Sequence, residues 1–77
     1  MDYKYNVKEN VRKTLIECRK EKGLTQTQVG ELVGKTKTAV ASWEQGKTIP
    51  DIETLYHLSR YYGKTINYMY GEREEPI

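Results

Sequence analysis

Cysteine is all but missing: among 77 residues Cys18 is the only one. An intramolecular disulfide is therefore impossible, no cysteine-based zinc site can form, and the expected home is a reducing cytoplasm. Cys18 falls among the apolar positions of a helical stripe, so it reads as a small buried hydrophobe rather than a reactive thiol. Long apolar runs are missing too. No stretch approaches the roughly 18 residues of a membrane span, and the acidic Asp2, near a start with no apolar core, argues against a signal peptide. Catalytic pairings are equally scarce: His57 is the single histidine, no nucleophile and base recur at a recognisable spacing, and the carboxylates read as surface or capping residues. An enzyme is not expected, nor is a cofactor, a metal site, a membrane partner or a small-molecule substrate. The length allows one small domain with one modest core.

A phosphate-binding loop is suggested by "GELVGKTKT", Gly30 to Thr38, and then excluded by it. Such a loop needs four residues between its first glycine and the Gly-Lys-Thr, so that enough backbone N–H groups converge on the phosphates; only three separate Gly30 from Gly34. It should also follow a buried strand, whereas Val29, Leu32 and Val33 stand at helical spacing. A bend between helices fits better, with Gly34 in the left-handed conformation that ends one helix and Thr36 capping the next.

The net charge is only +2, but it is unevenly spread. Residues 12 to 49 hold eight Lys/Arg against four Glu, while residues 50 to 77 hold three against five acids. The middle excess suits an anionic surface, although charged helix faces are ordinarily just solvated.

No segment alternates with period two for long enough to make a strand, and no solenoid-length repeat is visible, so the fold class is all-α. Val7, Val11, Leu15 and Cys18 recur every three or four residues in helix one, which ends at "KEKG". Thr25 caps a short helix two over Gln26 to Val33, expected to bury Val29, Leu32 and Val33. Thr36 starts helix three over Lys37 to Gln45, with Val40 and Trp43 on one side and Thr38, Ala41, Ser42 and Gln45 on the other. "KTIPD" is an extended linker in which Asp51 caps helix four, whose expected apolar stripe is Ile52, Leu55, Leu58 and Tyr62. Thr65 caps a brief helix five with Ile66 and Met69 inward, and Gly71 closes it. The organisation is an N-terminal arm (1–6) carrying Tyr3 and Tyr5, one domain (7–71) and a polar tail (72–77).

Helices two and three read as a helix-turn-helix. Close crossing around a three- or four-residue turn needs a small contact residue, a glycine-like turn residue and an apolar wedge; Gly30, Gly34, and Val40 with Trp43 supply them. A mid-helix glycine costs about 1 kcal/mol relative to alanine, so Gly30 implies a packing reason.

From "GLTQ" through "WEQGK", "IPDIETLYHLSRYYG" and "TINYMYG", the chain resembles the phage repressor/Cro-like helix-turn-helix family (the XRE family) over residues 7 to 71. The resemblance implies a compact five-helix, lambda-repressor-like DNA-binding domain and a sequence-specific transcriptional regulator, expected to be a repressor. Double-stranded DNA is the implied partner. Thr25 and Gln26, at the start of helix two, match phosphate-gripping positions, where free N–H groups and the positive dipole end suit an anion. Gln45 and Lys47 match the other phosphate contacts, and Lys35, in the turn, is either a further one or free.

Base reading is implied for Lys37, Thr38 and Ser42 on the outer face of helix three. Lys37 suits guanine acceptors, Thr38 offers a methyl or a hydroxyl, and Ser42 is a weaker, promiscuous contact. Ala39 and Ala41 replace polar residues common nearby, which leaves room for DNA shape to contribute. The resemblance also pairs Arg19 with Glu44 as a tie that orients helix three. Trp43 is expected in the core with Val40 rather than stacked on bases.

Tyr56, Tyr61, Tyr62, Tyr68 and Tyr70 crowd the last two helices, and some of them suit a dimer surface. A homodimer on an inverted repeat is expected, through the helix-five end or on DNA only. The competing reading is a protein-binding module on the same scaffold, such as an antitoxin or anti-repressor.

Overall fold

Capping chemistry sets the register of each helix in the computed structural model, which describes residues 6–72. Five helices follow one another: α1 (Val7–Glu21), α2 (Gln26–Val33), α3 (Lys37–Glu44), α4 (Ile52–Tyr62) and α5 (Ile66–Met69), with no strand among the described residues. Asn6, Thr25, Thr36, Asp51 and Thr65 each accept a hydrogen bond from the backbone N–H three residues on, so every helix start has one of its orphan donors satisfied. The tyrosines Tyr3 and Tyr5 and the tail from residue 73 onward lie outside the described residues, whereas Asn6, assigned from the sequence to the arm, is the α1 cap.

One core joins all five helices: Val11, Leu15 and Cys18 of α1, Val29 of α2, Val40 and Trp43 of α3, Leu55, Leu58 and Tyr62 of α4, and Met69 of α5 are all buried. Helix α2 packs on α3, α1 on α3 and α5, and α4 on α5 and α2.

Three expected core residues are outside. Val7, the first residue of α1, is 39% exposed, a full turn ahead of the first buried residue of its stripe, Val11. Leu32 is 46% exposed, because the buried side of α2 is centred between Val29 and Gly30; at about 100° per residue Leu32 falls on its flank, with Val33 half-buried. Ile52, the first residue of α4 and two residues ahead of the first buried one, Thr54, is 71% exposed. The stripe that α4 buries runs through Thr54, Leu55, Leu58, Ser59 and Tyr62, and Ile52 lies about a quarter turn from its centre. Ser59 tolerates burial because its hydroxyl donates to the Tyr56 carbonyl at 2.6 Å. Helix α3 ends at Glu44, one residue earlier than expected, with Gln45 as its C-cap.

Candidate nucleic-acid interface

The α2–α3 bend is held by backbone contacts. Gly34 has φ 68°, a left-handed conformation that glycine adopts without steric cost, and the Lys35 N–H donates to the Gly30 carbonyl at 2.8 Å. A Cβ on Gly30 would lie 2.5 Å from the Lys35 carbonyl oxygen and 3.3 Å from the carbonyl carbon of Thr36. The glycine is thus required by the turn backbone folding over it, not by a side chain of α3. Its packing reason was legible in the sequence; the group it packs against was not.

Helix α3 is anchored from behind and bare in front. Val40 and Trp43 are 1% and 6% exposed, so the indole is core. Glu44 is buried beside them, and its carboxylate gathers three donors: Arg19 Nε at 2.7 Å, Arg19 Nη2 at 3.0 Å and Gln26 Nε2 at 3.0 Å. The remaining guanidinium nitrogen, Nη1, donates to the Leu24 carbonyl at 2.9 Å. This bidentate, charge-assisted pair fixes α1, α2 and α3 to one carboxylate. The hydrogen bond to Glu44 raises the Arg19 pKa from its ordinary value, which keeps the guanidinium charged. Beside it the Tyr62 phenol is pushed well up, first by burial and then by Cys18 and Glu44, so it stays neutral.

On the outer face Lys37, Thr38 and Gln45 are exposed, while Ala41 and Ser42 are half-buried. Nothing bulky projects there. The Ser42 hydroxyl is not free: its Oγ lies 2.8 Å from Thr48 Oγ1, and either group can donate. The chain after Gly46 curls back over the helix end, with the N–H groups of Lys47 and Thr48 both directed to the Ser42 carbonyl, at 3.0 and 3.5 Å. Thr48 escaped the sequence reading because a six-residue return through a loop leaves no periodic signal.

The expected phosphate-binding residues sit around this face in different states. Thr25 and Gln28 form a reciprocal capping box, Thr25 N to Gln28 Oε1 at 2.8 Å and Gln28 N to Thr25 Oγ1 at 3.1 Å. By helix geometry the N–H groups of Gln26 and Thr27 then have no carbonyl partner within α2. The Gln26 side chain is committed through its nitrogen to Glu44, a link that its position at a helix start did not reveal. Lys35 Nζ stands 4.0 Å from Asp51 Oδ2, a loose surface pair, and Lys47 is exposed.

Elsewhere, His57 lies edge-on to Tyr56 with ring centroids 6.0 Å apart and lines a groove of about 450 Å³ with Leu32, Val33, Glu53, Leu58 and Tyr61. No group of His, Cys, Asp or Glu among the described residues is arranged to hold a metal ion. Of the five clustered tyrosines, Tyr62 is buried, Tyr68 and Tyr70 are half-buried, and Tyr56 and Tyr61 are 49% and 46% exposed.

Comparison with known proteins agrees with this geometry. A helix-turn-helix family model matches residues 15–69. The HTH-type transcriptional regulator PuuR of Escherichia coli is 39% identical over 64 residues, covering 83% of this chain and 35% of PuuR. An uncharacterized HTH-type transcriptional regulator of Bacillus subtilis, YqaE, is 34% identical over 70 residues, 90% of this chain and 57% of YqaE. The crystal structure of a transcriptional regulator from Listeria innocua superposes with a TM-score of 0.77 at 33% identity, covering 87% of this chain and 63% of that one. The chain thus spans about a third of PuuR and somewhat over half of the other two. All three of these relatives are transcriptional regulators. With its turn glycine, its inward tryptophan and a family match over most of its length, the chain belongs to the XRE-type helix-turn-helix family of DNA-binding transcriptional regulators.

Proposed function

We propose that this chain binds duplex DNA sequence-selectively by laying the outer face of α3 in the major groove. The observation that carries this reading is the bare front of α3, with Lys37 and Thr38 exposed on a helix pinned from behind by Trp43 and the Arg19–Glu44 pair. Lys37 donates to guanine acceptors, Thr38 offers its methyl or hydroxyl, and Ser42 makes the third contact. Around them the start of α2 at Thr25 and Gln26, together with Lys35, Gln45 and Lys47, holds backbone phosphate. For Gln26 the contact comes from its backbone N–H, since its side-chain nitrogen is already bound to Glu44.

Two copies bind an inverted repeat, with α3 helices about 34 Å apart reading successive major grooves. The half-buried Tyr68 and Tyr70 at the helix-five end supply area for that pairing. The regulatory outcome is repression, because occupancy of a promoter-proximal site blocks it without any further contact. The site of action is the cytoplasm; among the described residues no helix is long and apolar enough to cross a membrane.

Selection of bound sequences from a random duplex library tests the reading. The expected result is a two-fold symmetric motif, bound by two chains in sedimentation, with an affinity that falls steeply as salt rises. No enrichment and a flat salt dependence contradict it and favour the protein-binding module instead.

A further inference from the structure

Ser42 and Thr48 face each other across 2.8 Å, and either oxygen can be the donor. Two hydroxyls own two protons, and their mutual hydrogen bond uses one. One O–H is left to point elsewhere, and whichever group has donated inward keeps only lone pairs for an outside partner. The pair is therefore a polarity switch. If Thr48 donates to Ser42, Ser42 presents its O–H outward; if Ser42 donates to Thr48, Ser42 presents lone pairs alone.

We propose that Thr48 is a positioning residue for base selection: it donates its hydroxyl proton to a DNA phosphate, which leaves Ser42 an obligate acceptor toward the bases. The inference rests on the duplex reading proposed above. Thr48 is exposed, follows Lys47, and lies at the end of α3 where the chain folds back over the Ser42 carbonyl. Phosphate oxygens only accept, so a phosphate contact forces the Thr48 proton outward. Ser42 must then supply the proton of the shared hydrogen bond. A lone-pair-only Ser42 pairs with the exocyclic amino group of adenine or cytosine in the major groove. It is repelled by guanine O6 and N7 and by thymine O4, which are acceptors. A serine otherwise indifferent to base identity thereby gains a preference without changing its place on the helix.

The experiment is sequence selection from a random duplex library with the parent chain, Thr48→Val, Thr48→Ser and Ser42→Ala, each checked for an unchanged melting curve. Parent and Thr48→Ser are expected to discriminate, at one position of each half-site, between a base pair and its reversal (A·T against T·A, C·G against G·C) by roughly three- to tenfold, the size of a single hydrogen bond. Thr48→Val frees the Ser42 proton and should erase that preference while other positions of the motif are unmoved; Ser42→Ala should erase it as well. Retention of the preference in Thr48→Val or in Ser42→Ala overturns the proposal, as does a parent chain that shows no such preference between a base pair and its reversal. A parent chain that selects no motif at all overturns the underlying duplex reading, and this inference with it.

Discussion

Helices α3 and α4 begin alike and end up with opposite outer surfaces. Each is started by a side-chain cap, Thr36 in one and Asp51 in the other, and each buries a stripe against the same core. Helix α3 turns Lys37, Thr38, Ala41 and Ser42 outward, whereas α4 turns out Ile52, Tyr56 and Tyr61. A helix entering a groove of DNA must bring its backbone close, so small or slender outer side chains are an advantage; one bearing a branched aliphatic and two rings cannot approach as closely. The rear of α3 differs as well, because it is fixed by a buried ionic pair as well as by apolar contact. Slenderness of the free face and rigidity of the hidden one are what distinguish α3, the proposed reader, from its neighbour.

The largest effect that should break this contrast is at the hidden face. Arg19→Ala leaves Glu44, whose side chain is 7% exposed, without its main cation. Removing one partner of a buried pair costs ~3–5 kcal/mol. The lower end applies, since the Arg19 side chain keeps 17% exposure. Thermal denaturation should show a melting point lower by roughly 12–24 °C at ~3 kcal/mol; an unchanged melting point removes the anchoring role of the pair.

Gly30→Ala comes next. Its new methyl meets the Lys35 carbonyl at 2.5 Å. A 2.5 Å contact with backbone that must shift puts the overpacking cost toward the upper end of ~1–3 kcal/mol, which outweighs the ~1 kcal/mol of helix propensity that alanine restores. A melting point at or above the parent's contradicts the backbone-clash explanation.

On the other helix, Asp51→Ala deletes the α4 cap, in which Asp51 Oδ1 accepts from the Thr54 N–H at 2.8 Å. The expected loss is about 1 kcal/mol. Hydrogen bonding to Thr54, and more weakly the charge of Lys35, hold the Asp51 pKa below its ordinary value. A group with a depressed native pKa stabilises the fold above its unfolded pKa and loses that contribution as the pH falls through the native value. The parent should therefore lose part of its stability below about pH 4, and Asp51→Asn, which keeps a capping oxygen, should lose less over the same range, the remainder falling to Glu9, whose carboxyl the hydrogen bond with Arg12 also holds low. An undiminished acid loss in Asp51→Asn assigns all of it to Glu9.

The smallest change, and the one that sharpens the functional side, is Lys47→Ala. It should weaken binding to all duplexes alike and reduce the salt slope by about one, whereas Lys37→Ala should relax preference at one or two base positions. The opposite pattern exchanges the roles of reader and phosphate contact.

Much of this was legible in the sequence because caps and turn glycines act locally. Thr25, Thr36, Asp51 and Thr65 name their helix starts without help from the rest of the chain, and Gly34 names the bend. The inward side of α3 was legible because Val40 and Trp43 are large and correctly spaced. Periodicity misled where apolar residues flank the buried stripe: Leu32 is about a third of a turn off and Ile52 about a quarter, and their hydrophobicity gives no hint of which side a neighbouring helix will cover. The polar contacts were least legible. The bond between Gln26 and Glu44 spans 18 residues and that between Ser42 and Thr48 crosses a loop, so both depend on tertiary placement. The Arg19–Glu44 pair, 25 residues apart, entered only through family resemblance.

The central claim, that the outer face of α3 meets DNA and that of α4 does not, is tested most directly by two charge-matched reversals. Lys37→Glu and Arg60→Glu both change the net charge by the same amount on exposed helical positions, so the general attraction to DNA is altered equally. At physiological salt, where screening acts within about 8 Å, affinity for a selected duplex should fall roughly 10–100-fold for Lys37→Glu and less than about threefold for Arg60→Glu. Equal losses, or a larger loss from Arg60→Glu, would contradict the account.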